Sequence, residues 1–294
     1  MPHVHTHSSH HAAAQPDHPH HQQPGVDSQA EILDLDAEVL AEHIAGITRW
    51  LPLDAPPRRI VDLGCGTGAG TFALLDRFPE ASVTAVDSSA EHLQRLREKA
   101  AARGVADRVR TVPADLDEEV WPGLGTPDLV WASASMHHMA RPDHALRAVH
   151  DALAPGGLFA VVELAGFPRF LPENAPEDRP GLEERCHTAS ERHHAEHVPH
   201  RGADWGPKLT AAGFTVEAER TVTVDIPGSR NEAIGAYALS SLRRIRGTVA
   251  DALPAEDLAA LDRLLDTESP QSILRRDDLA VRTERTVWAA RRSG

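Results

Sequence analysis

The stretch 61-VDLGCGTGAG-70 decides the fold. A short apolar run, RIVDL (59–63), leads into it, and a helix-forming segment from about Gly68 to Phe78 leaves it. Closely spaced glycines let a backbone turn sharply and let a ligand approach with no Cβ in the way. Strand, glycine turn and helix in that order predict the first unit of an open parallel sheet. In such a sheet, ligands bind at the carboxyl ends of the strands, where the strand order reverses.

The rhythm continues outward from this point. ASVTAVD (81–87) reads as a second strand and Ala90 to Arg103 as an amphipathic helix. VRTVPAD (109–115), DLVWASA (128–134) and LFAVVEL (158–164) read as further strands. Pro142 to Leu153 is a helix, closed by a Pro155-Gly156-Gly157 turn. This alternation predicts an α/β protein with helices on both faces of the sheet and right-handed crossovers. Residues 165–203 break the rhythm with Pro, His, Glu and Arg, and are read as a cap insertion. A helix at 205–212, a sixth strand at 214–226 and a last strand at 279–292 complete the core. Between the last two strands, about 229–277 reads as a helical insertion, broken near Pro254. Ahead of the core, 28–51 is read as one amphipathic helix ending at Leu51-Pro52. The expected organisation is a disordered His-rich tail (1–27), the N-terminal helix with the cofactor core (28–164), the cap (165–203) and the rest of the core (204–294).

The glycine loop admits two kinds of cofactor. Gly64, Gly66 and Ala69 fit the dinucleotide pattern G-x-G-x-x-G/A, and Asp87 ends the second strand, where an acid would take ribose hydroxyls in either case. Asp62 tips the balance. A carboxylate two residues before the first glycine would repel a pyrophosphate, whereas a sulfonium cofactor carrying an ammonium group would welcome it. Asp115 ends the third strand, where it could accept from an adenine amino group, and the late final strand suits a seven-stranded sheet.

With VDLGCGTGAGT, AVDSS (85–89), PADL (113–116), SMHHM (135–139) and LAPGG (153–157) in register, the chain resembles the class I S-adenosylmethionine-dependent methyltransferases. It looks most like bacterial small-molecule enzymes with a helical cap. The resemblance implies a doubly wound, seven-stranded Rossmann-like sheet with the last strand antiparallel. It implies S-adenosyl-L-methionine as cofactor, its amino-acid portion cradled by Asp62, Gly64, Gly66 and Gly68. Asp87 would hold the ribose and Ser88 would lie beside the adenine. Asp115 would take the adenine amino group, Leu116 would pack on the ring, and Ser133 would lie near the methionyl part. His137 and His138 follow the fourth strand and are the candidate general bases, needed where the acceptor must lose a proton.

Charge and composition narrow the partners. With 44 acidic against 30 basic residues and a formal charge of −14, the chain suits neither nucleic acid nor an anionic membrane, and a small-molecule acceptor is expected. Two cysteines, Cys65 and Cys186, and no signal-like or membrane-length apolar run point to a reduced, cytoplasmic setting. Cys65 is read as packing in the loop. Arg243, Arg244 and Arg246 are read as a solvated helix face, and Tyr237 and Arg243 as candidates to face the acceptor. His193 and His197, four apart in the cap, are the candidate metal pair, although no H-E-x-x-H stands there. A metal tether is the alternative reading of the tail. The competing functions are an NAD(P)-dependent oxidoreductase and a non-catalytic protein that binds S-adenosylmethionine or metal. The sequence leaves the acceptor and the oligomeric state open.

Overall fold

The computed structural model describes residues 29–195, 198 and 200–293. Its strands are β1 (Arg59–Leu63), β2 (Ser82–Asp87), β3 (Val109–Pro113), β4 (Leu129–Ser133), β5 (Leu158–Leu164), β6 (Phe214–Pro227) and β7 (Ala280–Arg292). They form one sheet in the order β3-β2-β1-β4-β5-β7-β6. The first five pair in parallel, while β7 runs antiparallel between β5 and β6. The chain builds outward from β1 to β3, then returns to lay β4 on the other side of β1. That reversal opens a crevice at the carboxyl ends of β1 and β4.

The helices are α1 (Gln29–Val39), α2 (Ala41–Trp50), α3 (Ala69–Arg77), α4 (Ala90–Ala102), α5 (Pro142–Ala152), α6 (Leu182–Ala195), α7 (Gly206–Ala211), α8 (Ala233–Thr248) and α9 (Ala255–Leu265). Strand residues alternate between two cores. Ile60, Val83, Leu129, Leu158 and Val287 meet α2, α3 and α4 on one face. Val61, Val86, Val130, Phe159 and Trp288 meet α5 and α7 on the other. Covered on both faces, β5 needs apolar residues at successive positions, and LFAVVEL supplies them up to the buried Glu163. β6, at the edge, is mostly exposed and polar, as an edge strand can be.

A third core lies away from the sheet and gathers α1, α6, α8, α9 and the Phe170–Leu171 segment. α8 is its hub, packing on α1, α6 and α9. The ring of Phe170 meets that of Tyr237 edge-on, with centroids 5.1 Å apart. Glu183 of α6 pins the same segment by accepting from the backbone N–H groups of Phe170 and Leu171, each at 2.8 Å. The N-terminal segment, the post-β5 insertion and the helical insertion between β6 and β7 therefore pack together as one cap.

One expected element divides. The helix read over 28–51 breaks at Leu40, which leaves helical geometry with φ −96° and ψ 10°. The break lets α1 follow α8 in the cap while α2 follows α3 in the core. Periodicity alone sees one apolar stripe because both halves bury the same side. Residues 1–28, which hold the His-rich tail, fall outside the described part.

Phe170→Ala should lower the urea midpoint of unfolding, followed by circular dichroism. The side chain is wholly buried, and truncating a phenylalanine at such a site costs about 3–5 kcal/mol.

Candidate functional site

The site begins where β1 ends. Gly64 takes φ +64°, a left-handed conformation, and a Cβ there would lie 2.4 Å from Cβ of Ser135. Only glycine meets both demands. Ser135, in the loop after β4, donates from Oγ to the Leu63 carbonyl at 2.8 Å and so closes that loop onto β1. Cys65 donates its N–H to Val86 O of β2 at 3.0 Å, anchoring the other side of the turn. The Cys65 thiol is buried, and burial followed by repulsion from Asp62 and Asp87 pushes its pKa well up, so it packs and does not react. Gly68 sits at the N-cap of α3, against the Phe72 ring, and shapes the start of the helix without lining the cavity.

Two carboxylates flank this turn with opposite character. Asp62 is 2% exposed and its Oδ2 accepts a 2.6 Å hydrogen bond from Thr71 Oγ1 on α3. Burial, reinforced by repulsion from Asp87, pushes its pKa up to about 7. For Asp87, burial acts in the same direction but is outweighed. The His92 ring at 3.2 Å, Ser89 N–H at 2.8 Å and Gly66 N–H at 2.9 Å hold it below the usual carboxylate range. Asp115 is exposed and accepts from Asp117 N–H at 2.9 Å, a local turn contact. Asp117 in turn accepts from the N–H groups of Ala140 and Arg141, each at 3.0 Å, and ties the β3 end to the loop beyond β4.

A cavity of about 370 Å³ opens over these groups. Asp62, Gly64, Gly66, Asp87, Ser88, Asp115, Leu116 and Ser133 all line it, so the structure brings together eight of the nine residues named for the cofactor. The N-terminal helices form the roof, through residues that no motif marks. Gln29, Leu33 and Asp36 of α1 and Ile44 of α2 close the cavity from above, and Leu33 comes within 3.2 Å of where a Cβ on Gly66 would be. Trp131 also lines the cavity, with its indole N–H buried and, among the described residues, without a partner.

The two histidines part company. His138 lines the cavity and remains accessible. Loss of solvation around its ring, then repulsion from its neighbours His137 and Arg201, push its pKa down to about 4, leaving the ring neutral at physiological pH. His137 turns inward instead. Its Nδ1 lies 2.5 Å from Glu163 Oε2, with both side chains 2% exposed. Glu163 Oε1 also accepts from Met136 N–H at 2.8 Å, so this carboxylate holds the whole post-β4 turn.

Beyond His138 the cavity meets the cap. Arg285 of β7 lines it and donates to both oxygens of Asp36 at 2.9 Å, while Tyr237 OH donates to Asp36 Oδ1 at 2.6 Å. These three residues are up to 249 positions apart in sequence, and no local pattern joins them. Of the arginine cluster on α8, Arg243 reaches Leu265 O and Arg246 pairs with Asp262, whereas Arg244 bears on His138. Arg185 pairs with Asp257 and Trp205 is sealed in the core, so neither faces the cavity. Among the described residues, no cluster of His, Cys, Asp and Glu could hold a metal ion. His197 and the side chain of His193 lie outside the described residues.

The family model for a methyltransferase domain matches residues 61–159. A trans-aconitate 2-methyltransferase of Acidovorax sp. (strain JS42) is 39% identical over 105 residues, which is 36% of this chain and 38% of that one. The chain thus spans well under half the length of the curated relatives it matches. Among solved structures, phosphoethanolamine N-methyltransferase 2 of Haemonchus contortus superposes with a TM-score of 0.50 at 16% identity, over 92% of this chain and 62% of that one. The 4+2 cyclase SpnF superposes with a TM-score of 0.50 at 21% identity, over 87% and 82%. These two likenesses concern the fold alone. Among the described residues no helix is long and apolar enough to cross a membrane. Residues 61–159 thus match a methyltransferase domain, and the strand order and the residues gathered at the end of β1 surround that stretch with the same open α/β architecture.

Proposed function

We propose that this protein transfers a methyl group from S-adenosylmethionine to an O, N or C nucleophile of a small molecule. The observation that carries the reading is Asp62, a buried carboxylate beside the glycine turn with no cation against it among the described residues. A ligand ammonium group supplies that missing charge. A dinucleotide would instead add two phosphate charges beside Asp62 and Asp87, where like charges repel.

The residues present fit the cofactor. The turn at Gly64 and Gly66 leaves the backbone bare for its amino-acid portion, and Trp131 lines the same cavity. Asp87 keeps its charge for the ribose hydroxyls, Ser88 and Leu116 flank the adenine, and Asp115 takes its amino group. Ser133 lies toward the methionyl part. When bound, the cofactor supplies an electrophilic methyl on a sulfonium and a neutral leaving group. The protein's work is then to hold the nucleophile in line and keep water out. The α1 roof excludes water. His138, neutral and accessible, takes the proton from an acceptor that must lose one. His137, fixed by Glu163, positions the turn that carries it. The cap segments 165–203 and 229–277 form the acceptor's wall.

Calorimetry should show micromolar binding of S-adenosylhomocysteine and none of NAD. Asp87→Ala should weaken that binding about 100-fold, as expected for losing a charged acceptor of two hydroxyls. Binding of NAD alone would sink the reading.

Asp62→Asn separates stability from function. The folded pKa of Asp62 is raised from 3.8 to about 7. A raised acid contributes stability that is present at low pH and lost as pH climbs through about 4 to 7. Asparagine mimics the neutral form, so the variant should match wild type near pH 4 and exceed it at pH 8 by on the order of 2–4 kcal/mol. Its affinity for S-adenosylhomocysteine should nevertheless fall at least about tenfold. Thermal unfolding across pH, run beside calorimetry, reads both.

A further inference from the structure

We propose that His92 competes with the ribose of the cofactor for Asp87. Its ring holds one of the acceptor positions that the two ribose hydroxyls need, so binding expels it. His92 is then a positioning residue that sets cofactor affinity from inside the site. The proposal rests on the methyltransferase reading for the cofactor, and on the hydrogen bonds at Asp87 for the competition.

A carboxylate offers about four lone-pair positions, two on each oxygen. At Asp87 three of them are taken. Oδ1 accepts from Ser89 N–H at 2.8 Å and from the His92 ring at 3.2 Å, and Oδ2 accepts from Gly66 N–H at 2.9 Å. A carboxylate can only accept, so Nδ1 of His92 carries the proton in this contact. A ribose diol brings two hydroxyl donors, and one position is left. To bind through both hydroxyls, the ribose has to displace one of the three donors.

The ring is the donor that can go. Gly66 N–H belongs to the glycine turn, at φ +52°. Ser89 is the N-cap of α4, and its hydroxyl accepts from His92 N–H at 3.3 Å. Moving either backbone donor would unmake the turn or the start of the helix. The His92 ring leaves by side-chain rotation alone. Its bond is also the longest of the three, at the end of the usual range. The ring lines the cavity and its side chain is 16% exposed, so a ligand reaches it. The contact also has a use. Asp62 and Asp87 lie on neighbouring strands, near enough to repel each other. The ring stands in for a ribose hydroxyl, keeping Asp87 oriented beside the second acid.

The test is calorimetry on the full chain, with S-adenosylhomocysteine, adenosine, 2′-deoxyadenosine and 3′-deoxyadenosine as probes. His92→Ala should tighten the first two about fivefold, the order expected when a competing hydrogen bond to a charged group is removed. His92→Met, which keeps bulk and has no donor, should gain likewise. His92→Gln, which restores a donor, should give back part of the gain. The gain should vanish for at least one deoxyadenosine, whichever lacks the hydroxyl that meets Oδ1. A change in packing alone would move all the probes together. Circular dichroism checks the fold of each variant; His92 is half-buried in the first turn of α4, where alanine and methionine suit a helix. Unchanged or weaker binding of adenosine by both donor-free variants, or an equal gain for every probe, overturns the proposal. Should S-adenosylhomocysteine fail to bind while adenosine binds, the cofactor reading fails and the adenosine series still decides the role of His92. Should adenosine fail as well, no ribose is held at Asp87 and the proposal falls.

Discussion

A carboxylate without a cation is the constraint on which the site depends. Asp62 is carried into the interior by β1, between the apolar Ile60, Val61 and Leu63, and Thr71 meets it there through its hydroxyl and its backbone N–H. Burial of an unpaired acid is unfavourable, and the raised pKa records that cost. The sheet makes matters worse, since β1 and β2 run in register and bring Asp87 near enough to repel it. A protein selected only for stability would replace this residue. Its retention makes sense if a ligand brings the positive charge, so the strain at the end of β1 is stored for binding.

The same end of the sheet holds a second restraint. Ala134, just past β4, has φ +52°, uncommon for a residue with a side chain. The turn that follows is held in place from two sides. Ser135 is hydrogen-bonded to β1, and the loop N–H groups of Met136 and His137 point at Glu163 of β5. This over-determined turn aims one histidine into the cavity and buries the other. Neighbouring histidines therefore divide the work: His137 is spent on structure, which leaves His138 accessible.

Reading the core from sequence succeeded because its signals are local. The glycine turn, the acids that end β1, β2 and β3, and the apolar strands each lie within a few residues of what they specify. Parallel strands buried on both faces announce themselves as apolar runs, and all seven strands were placed to within two residues. The break at Leu40 escaped because both half-helices bury the same stripe, so the pattern never falters. The N-terminal helix and the two insertions were expected to meet over the site, but the contacts by which they do so escaped for a different reason. Asp36, Tyr237 and Arg285 come from three distant segments, and nothing in the neighbourhood of any one of them names the other two.

The two ends of the cavity also differ in how their charge is balanced. At the cap end Asp36 meets Arg285 and Tyr237, so that carboxylate is compensated within the protein. At the glycine turn Asp62 meets no cation among the described residues, and Asp87, held by His92 and two backbone N–H groups, lies near enough to repel it. The stretch matched by the methyltransferase domain, 61–159, supplies that uncompensated end, while Asp36 and Arg285 come from outside it. A positively charged ligand group therefore gains most at the end of β1, and the cap end is left to select by shape rather than by charge.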